Sequence, residues 1–359
     1  MIFSTRLKTF VAASTLGIAA IGPSSTMAQE TPTFDIGWTV YVGWMPFAYM
    51  EREGIIDKWA DRYDIDINLI QVNDYIGGIN LYTSGRYDGV TMTNMDALTI
   101  PAANGKDSTS LFITDYSNGN DAVVLKNGDS MSDIAGRDVY LVQYSVSHYT
   151  LARALQKADM SERDINTINT SDADIVGVFE QSGVNAVTAW NPQLGEIAEH
   201  PDANVVFDSS EIPGEILDMM VVDTETLEEY PELGKALTGA WYETMAIMYG
   251  DDQGARESAR SLMAEAAGTD LAGYNTQLEA TFMFDTPEKK LAFATDEELV
   301  ESMDFVRQFS ARHALLGESV TDPGFIGIAF PEGSTLGNED NIQLRFSNEY
   351  IRMAAEDEL

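Results

Sequence analysis

The chain contains no cysteine among its 359 residues. This absence excludes disulfides, thiolate metal sites, a thiol nucleophile and the cysteine to which an exported protein's lipid tether would be attached. Histidine is almost as scarce, with three residues whose spacing fits no metal site, and the Walker, GxGxxG and GxSxG motifs are absent. The sequence therefore predicts no metal, no cofactor and no enzyme, although a Ser–His–Asp site, which only geometry could identify, stays open.

Basic residues are also few, since 21 Lys and Arg stand against 58 Asp and Glu, for a formal net charge of −37. Such a charge makes nucleic acid an implausible partner. The acids recur throughout the chain, which predicts a halophilic, acidic protein whose hydrated surface preserves solubility while salt screens its charges. Any single carboxylate is accordingly more often solvated surface than part of a site.

The N-terminal 28 residues have the pattern of a secretory signal peptide. Arg6 and Lys8 give a positive start, residues 10–21 form a short apolar run, and small residues precede a cleavage site after Ala28. The apolar run falls short of the ~20 residues that span a membrane, and no later stretch reaches that length. The sequence therefore predicts an exported, periplasmic protein.

Short apolar runs alternate with segments of helical periodicity from residue 33 to residue 208, which predicts an α/β fold with mostly parallel sheets flanked by helices. A polar, turn-rich segment at 114–121 interrupts this alternation, and helical periodicity dominates after residue 231. Two chain crossings between lobes would make a natural hinge. The predicted layout is a signal peptide at 1–28, a discontinuous first lobe at 33–121 and 219–318, a second lobe at 122–208, a hinge return at 209–218, and an acidic C-terminal tail at 319–359 with a helix at 342–355.

Two tryptophans follow predicted strands. Trp44 lies where the apolar run that ends at Val42 gives way to a helical pattern starting at Pro46. Trp190 follows a buried strand and precedes Asn191 and a proline, which favours a loop position over the core. Ligands sit at the carboxyl ends of strands in open α/β sheets, so both tryptophans are candidates for a binding cleft. Core packing is the alternative for Trp44.

The loops after the predicted strands contain aromatic, carboxylate and amide side chains but no Lys or Arg. An anion site would want Arg, Lys or several free amide donors, whereas aromatic faces and carboxylates suit a cation or a flat, donor-rich neutral molecule. Helix capping is the alternative for Asp96 and turn formation for Asp121. The predicted ligand-binding residues are Trp44, Asn94, Asp96, Tyr116, Asp121, Tyr144, Trp190 and Glu215; the same loops and the return crossing also hold Asp115, Glu211 and Asp218.

The chain resembles periplasmic substrate-binding proteins of ABC transporters in four segments, GWMPF at 43–47, TMTNMDAL at 91–98, TDYSNGNDAVV at 114–124 and VTAWNP at 187–192. Within the nitrate, sulfonate and thiamine-precursor-binding superfamily, it is most similar to the branch associated with urea carboxylase. The resemblance implies a two-lobe, type II-like fold with a helical C-terminal extension, a small-molecule cargo and an inner-membrane ABC permease as partner.

The resemblance makes urea and guanidine the candidate cargoes. Neutral urea would leave a buried carboxylate uncompensated, so the working hypothesis is a guanidinium-type cation stacked between Trp44 and Trp190. Asp96, Asp121 or Glu215 would supply the counter-charge. The alternatives are a sulfonate, nitrate or pyrimidine-type solute, an enzyme of the pyrimidine-precursor synthase type, and a sensory module.

Overall fold

A computed structural model describes residues 31–294, 297–317 and 319–359 of the chain. The predicted signal peptide at 1–28, with its cleavage site after Ala28, lies outside the described residues. Within those residues, no helix is both long and apolar enough to cross a membrane.

The strands follow one another along the chain as β1 (Thr33–Thr39), β2 (Asp66–Val72), β3 (Gly89–Thr93), β4 (Ser108–Ser117), β5 (Asp121–Lys126), β6 (Asp138–Leu141), β7 (Asn166–Asn169), β8 (Ala186–Trp190), β9 (Ala203–Asp208), β10 (Leu217–Asp223), β11 (Thr281–Met283), β12 (Gly327–Ala329), β13 (Thr335–Leu336) and β14 (Ile342–Phe346).

The helices are α1 (Met45–Arg52), α2 (Ile55–Arg62), α3 (Tyr75–Thr83), α4 (Asn94–Thr99), α5 (Val146–Lys157), α6 (Ile175–Glu180), α7 (Gln193–Ala198), α8 (Thr224–Glu229), α9 (Pro231–Met248), α10 (Gln253–Ala266), α11 (Leu271–Glu279), α12 (Pro287–Ala294), α13 (Glu297–Arg312) and α14 (Glu349–Ala355).

The strands form two sheets. The first has the order β13-β12-β14-β4-β10-β3-β1-β2, with β11 also paired to β4, and the second has the order β7-β6-β8-β5-β9. The five strands of the second sheet are consecutive in the chain and lie between β4 and β10 of the first sheet. The chain thus leaves the first sheet once, builds the second sheet, and returns through β10.

Both sheets are mixed, so the prediction of mostly parallel sheets is wrong in detail. The pairs β1–β2, β1–β3 and β6–β7 are parallel, as strand–helix alternation predicts. The return strand β10 is antiparallel to β3 and β4, and β5 is antiparallel to β8 and β9. β5 is the first strand of the second sheet and β10 the first strand after the return, so both run against their neighbours instead of continuing the helical crossovers.

The first strand and the helices after it form where the apolar periodicity changes. β1 lies between β2 and β3, and its side chains Ile36 and Trp38 are buried. A short 3₁₀ turn at Val42–Trp44 then leads into α1, which has proline in its first turn. The helical pattern that starts at Pro46 forms two helices, α1 and α2, because Gly54 adopts a left-handed conformation with φ of 67° between them.

The C-terminal segment contributes strands as well as a helix. β12, β13 and β14 extend the first sheet beyond β4, and the helix expected at 342–355 is wrong in its first half, since Ile342–Phe346 is a strand beside β4. Its apolar residues Leu344 and Phe346 are buried, and this alternation has the period of a strand.

Candidate functional site

A cleft with a cavity volume of about 50 Å³ lies where the carboxyl ends of β1, β3 and β8 meet the starts of β5 and β10. We call this cavity the cleft throughout. Among the described residues that line it there is no Lys or Arg, whereas three aspartates are present. Its lining residues are Thr39, Val40, Tyr41, Trp44, Tyr75, Thr93, Asp121, Val146, Asp172, Trp190, Gln193, Ile216 and Asp218.

Three aromatic rings form one wall of the cleft. Trp44 is stacked on Tyr75 with ring centroids 5.9 Å apart and an interplanar angle of 27°, and the edge of Tyr75 meets Trp190 at 6.5 Å. Trp44 is only 3% exposed and belongs to the hydrophobic core as well. A position in the cleft wall and core packing, the two alternatives for this residue, are therefore compatible. Trp190 is half-buried and is the more accessible of the two tryptophans.

Asp121 occupies the point where the chain passes from the first sheet to the second. It is the first residue of β5, opposite Trp190 in the antiparallel register with β8. Its Oδ2 accepts a hydrogen bond from Ser117 Oγ at 2.6 Å, while its buried Oδ1 has no partner. Burial raises the pKa of the Asp121 carboxyl to about 6. An unpartnered carboxylate oxygen in a cleft wall is an acceptor left open for a ligand.

Asp218 supplies a second carboxyl at the cleft, from the start of β10. Asp115 on β4 lies behind it as its cross-strand neighbour, and Tyr41 Oη donates to Asp115 Oδ1 at 3.1 Å. Burial raises the pKa of Asp115 to about 7, and burial together with the charges of Asp115 and Asp121 raises that of Asp218 well above its usual range. The site thus concentrates negative charge that no basic side chain among the described residues neutralises.

The second sheet's side of the cleft adds two more acceptors. Gln193, the first residue of α7, has a buried Oε1 without a hydrogen-bond partner. Asp172 lies in the loop between β7 and α6, and burial raises its pKa, with a further contribution from Asp74. The orphan indole N–H of Trp44 is a weaker signal, because the indoles of Trp38 and Trp241 also lack partners in the described structure.

Asp96 and Asn94 lie behind the cleft and form hydrogen bonds with residues that line it or adjoin it. Asp96 Oδ2 accepts from Tyr75 Oη at 2.6 Å and from Thr93 Oγ1 at 2.9 Å, and burial raises its pKa to about 6. Asn94 donates to the carbonyl oxygen of Glu215 at 3.0 Å and accepts from the N–H of Leu217 at 3.2 Å. Neither side chain lines the cleft.

Glu215 offers no free counter-charge. Arg153 binds it through two N–O contacts of 2.7 Å, and Tyr149 Oη donates to the same carboxylate at 2.5 Å. Together with Tyr116, Glu215 lines a separate groove on which Tyr116 stacks against Phe282, with centroids 4.6 Å apart. Both predicted site residues therefore lie away from the cleft, and the pairing of Glu215 with Arg153 gives no support to the hypothesis that Glu215 balances the cargo's charge.

Tyr144 is also outside the cleft. Its ring is 51% exposed, its φ is 67°, and its backbone N–H donates to His148 Nδ1 at 3.2 Å. His148, Glu162 and His313 are the described group whose ligand atoms could hold a metal ion, all within 4.8 Å of one another. However, the bond from Tyr144 leaves the neutral His148 proton on Nε2, 2.7 Å from Glu162, where a metal would need a lone pair.

Of the predicted residues, Trp44, Asp121 and Trp190 line the cleft. Sequence reasoning did not single out Asp218, and it missed Tyr41, Tyr75 and Gln193 altogether. Asp218 carried a signal, because an aspartate inside the apolar run 215–222 is costly to bury unless it serves a site. Tyr75 carried none, since a tyrosine in the first turn of a helix is equally at home in a core.

Sequence comparison matches the chain to one family and to one curated periplasmic protein. The family described as NMT1/THI5 like matches residues 59–255, which is more than half of the chain. The taurine-binding periplasmic protein of Escherichia coli (strain K12) is 24% identical over 117 residues, covering 32% of this chain and 36% of that protein. The match thus spans about a third of the curated relative's length.

Solved structures show the same fold at low identity. The periplasmic aliphatic sulphonate binding protein SsuA from Escherichia coli superposes with a TM-score of 0.66 at 16% identity, covering 81% of this chain and 95% of that chain. The desulfurization enzyme DSZB superposes with a TM-score of 0.57 at 14% identity, covering 79% of this chain and 93% of that chain. The predicted periplasmic binding protein fold is confirmed, and the same fold is found in a binding protein and in an enzyme.

Proposed function

Because the chain belongs to the NMT1/THI5-like family, we propose that it is a periplasmic solute-binding protein that delivers a small, nitrogen-rich cation to an ABC importer. The two sheets would belong to two lobes that close on the cargo, with β4–β5 and the return to β10 as the crossings. The fold and the taurine-binding relative support the transport role. The charge of the cleft supports the choice of a cation.

The observation that carries the cargo class is the pair of buried carboxyls at Asp121 and Asp218, neither of which has a basic partner among the described residues. Burying an ionised carboxylate without a partner is expensive. A cation that enters the cleft supplies the missing charge and offers N–H donors to Asp121 Oδ1 and Gln193 Oε1, which lack partners. An anion would add to the repulsion instead.

A guanidinium-type cation fits the shape of the cleft as well as its charge. It is flat, it presents donors along its edges, and its face can stack on tryptophan or tyrosine. Tyr75 contacts both tryptophans, so the cargo would meet a wall of three rings instead of the slot between two tryptophans first expected. Asp121 and Asp218 then take the counter-charge role for which the sequence suggested Asp96, Asp121 or Glu215.

Calorimetric titration of the protein with guanidinium, urea, taurine and nitrate, at matched ionic strength, tests the proposal. We expect saturable 1:1 binding of guanidinium at concentrations far below those that denature, and no heat from nitrate. Urea is the neutral isostere of the same shape, so it isolates the contribution of charge. Tight binding of taurine or urea with no response to guanidinium would contradict the proposed cargo and favour a sulfonate-type or urea-type solute.

A further inference from the structure

A carboxyl pair stands behind the wall of the cleft. Asp115 on β4 and Asp218 on β10 are directly opposite in the antiparallel register, so their side chains share a face. They are 0% and 4% exposed, and burial together with the charge of Asp115 raises the pKa of Asp218. Two buried carboxylates on neighbouring strands repel each other, so ionising both is costly. Such a pair favours holding one proton between its two members.

The surroundings of the pair supply no positive partner. No Lys or Arg in the described ranges forms a hydrogen bond or ion pair with Asp115, Asp121 or Asp218. Two hydroxyls donate to Asp115: Tyr41 Oη to its Oδ1 at 3.1 Å and Thr114 Oγ1 to its Oδ2 at 2.8 Å. Asp121 on β5 and Thr93, opposite Asp218 on β3, also face the pair. The remaining neighbours are Tyr274 on α11 and Tyr249 after α9, and Arg260 of α10 stacks on Tyr249 at 5.0 Å.

Asp115 is enclosed without reaching the cleft. A Cβ atom at Gly43 would lie 2.1 Å from Asp115 Oδ2, so the glycine of the turn before α1 makes the space that this carboxyl fills. Asp218, in contrast, lines the cleft. The pair therefore connects a buried, inaccessible carboxyl to one that a cargo can contact. Burial raises the pKa of Asp115 to about 7, so its protonation state changes near neutral pH.

We infer that Asp115 and Asp218 share one proton in the empty protein and that a cationic cargo expels it, which makes Asp115 a specificity-determining residue that acts through Asp218. This inference rests on the proposed function. The O–H bond of the carboxylic acid breaks, its electron pair stays on the oxygen, and the proton leaves to solvent. The cargo's positive charge replaces the proton's, so the net charge of the site is the same before and after binding.

This exchange has a measurable consequence for selectivity. Binding of guanidinium releases about one proton per cargo molecule while the pair is protonated, and its affinity rises about tenfold per pH unit until the pair is ionised. A neutral cargo of the same shape, such as urea, would expel no proton and would show no such rise. The pair therefore discriminates between cation and neutral isostere more strongly as the pH increases.

The test is calorimetry of guanidinium binding between pH 5 and pH 8 in two buffers of different ionisation enthalpy. The difference in heat between the buffers counts the protons released. We expect close to one proton from the pair at neutral pH, falling towards zero as the pair ionises, whereas below about pH 6 the carboxyl of Asp121 adds to the count. In Asp115→Asn the amide donates to an ionised Asp218, so at neutral pH proton release and the pH dependence of affinity should both disappear while binding persists. Asp88→Asn, at a half-buried aspartate bound to the N–H of Asp35 at 2.8 Å, is the matched control and should behave as wild type.

Infrared spectroscopy of the empty protein reads the shared proton without any cargo. A protonated-carboxyl band that is present in wild type near neutral pH and lost in Asp115→Asn supports the inference, and its absence in wild type overturns it. Guanidinium binding without proton release also overturns the inference but leaves the proposed function standing. If no cation in the panel binds, the proposed function fails, and the infrared band still decides whether the pair holds a proton. A misfolded Asp115→Asn protein leaves both wild-type readouts decisive.

Discussion

Glu215 is a half-buried acid and Asp218 a buried one, three residues apart on the same return crossing, yet their environments are opposite. Glu215 meets the guanidinium of Arg153 and the hydroxyl of Tyr149. Asp218 meets two further aspartates and no basic side chain in the described structure. A carboxylate paired with a basic side chain holds elements together. A buried carboxylate without a basic partner lowers the stability of the fold and is typical of sites where a ligand supplies the opposite charge. Glu215 therefore has the partners of a structural acid, whereas Asp218 has the environment that the proposed function requires of a binding acid.

The largest expected effect is on cargo affinity when a cleft carboxylate is neutralised. Asp121→Asn keeps the shape of the side chain but removes its charge, so guanidinium binding should weaken by about 2–5 kcal/mol, as for other truncated buried charge pairs. The melting temperature of the empty protein should stay level or rise, because an uncompensated buried charge is lost. Titration calorimetry and thermal melting check the two halves. Unchanged affinity would remove Asp121 from the site.

Glu215→Gln should show the reverse of Asp121→Asn, namely a loss of stability with little change in affinity. The variant breaks a largely buried ion pair with Arg153, whose hydrogen bonds to charged groups are worth about 1.5–3 kcal/mol. Unfolding by urea should therefore begin at lower denaturant concentration, while guanidinium affinity at low concentration stays within about threefold of wild type. A loss of affinity without a loss of stability would make Glu215 a binding residue and would erase the contrast with Asp218.

The two tryptophans should differ in a similar way, with a smaller effect on affinity. Trp190→Ala removes a half-buried ring and should lower affinity by about 0.5–2 kcal/mol, the range for a cation–π contact, with little change in melting temperature. Trp44→Ala should lower affinity and also destabilise the fold by about 3–5 kcal/mol, because the ring is packed in the core. Equal stability losses would show that Trp190 is a core residue too.

The smallest expected effect is a pH trend in the stability of the empty protein. Burial raises the pKa of Asp96 and Asp121 to about 6 and that of Asp115 to about 7, so between about pH 4 and pH 7 the folded state binds more protons than the unfolded state. Stability therefore falls as the pH rises through this window. The melting temperature should drop by a few degrees from pH 5 to pH 7, and saturating cargo should reduce the drop. A flat or rising melting temperature would contradict the raised pKa values.

Glu162 provides an internal contrast for that experiment. Burial acts to raise its pKa, but the hydrogen bonds from His148 and His313 lower it to about 2. Its stabilising contribution is therefore present above its unfolded pKa of ~4.5 and is lost only as the pH falls towards 2. The titration of Glu162 itself consequently lies below the window from pH 5 to pH 7.

The sequence predicted the parts of the site that depend on strand ends. Trp44, Asp121 and Trp190 each adjoin a break in an apolar run, and the topology of an α/β sheet brings such breaks to one edge. The partners of the acids could not be predicted in this way. Arg153 lies on α5, 62 residues before Glu215, and no local pattern indicates that the two pair.

The fold likewise contains a segment whose structure depends on strands distant in the sequence, so its local pattern alone does not predict it. Residues 114–117 look like a polar turn, yet they continue β4 because β10 and β11 pair with them on either side. That pairing places Asp115 opposite Asp218, and it also draws Tyr116 away towards Phe282. Alternation along one strand predicts burial, but only the register between strands identifies which acids meet.

The affinity of the wild-type protein for guanidinium relative to urea tests the central claim most directly, because the two molecules share a shape and differ in charge. If the unneutralised carboxyls of the cleft select the cargo, guanidinium should bind at least about a hundredfold more tightly, a difference of about 2.7 kcal/mol, at neutral pH and matched ionic strength. Urea binding as tightly as guanidinium, or more tightly, would contradict the account.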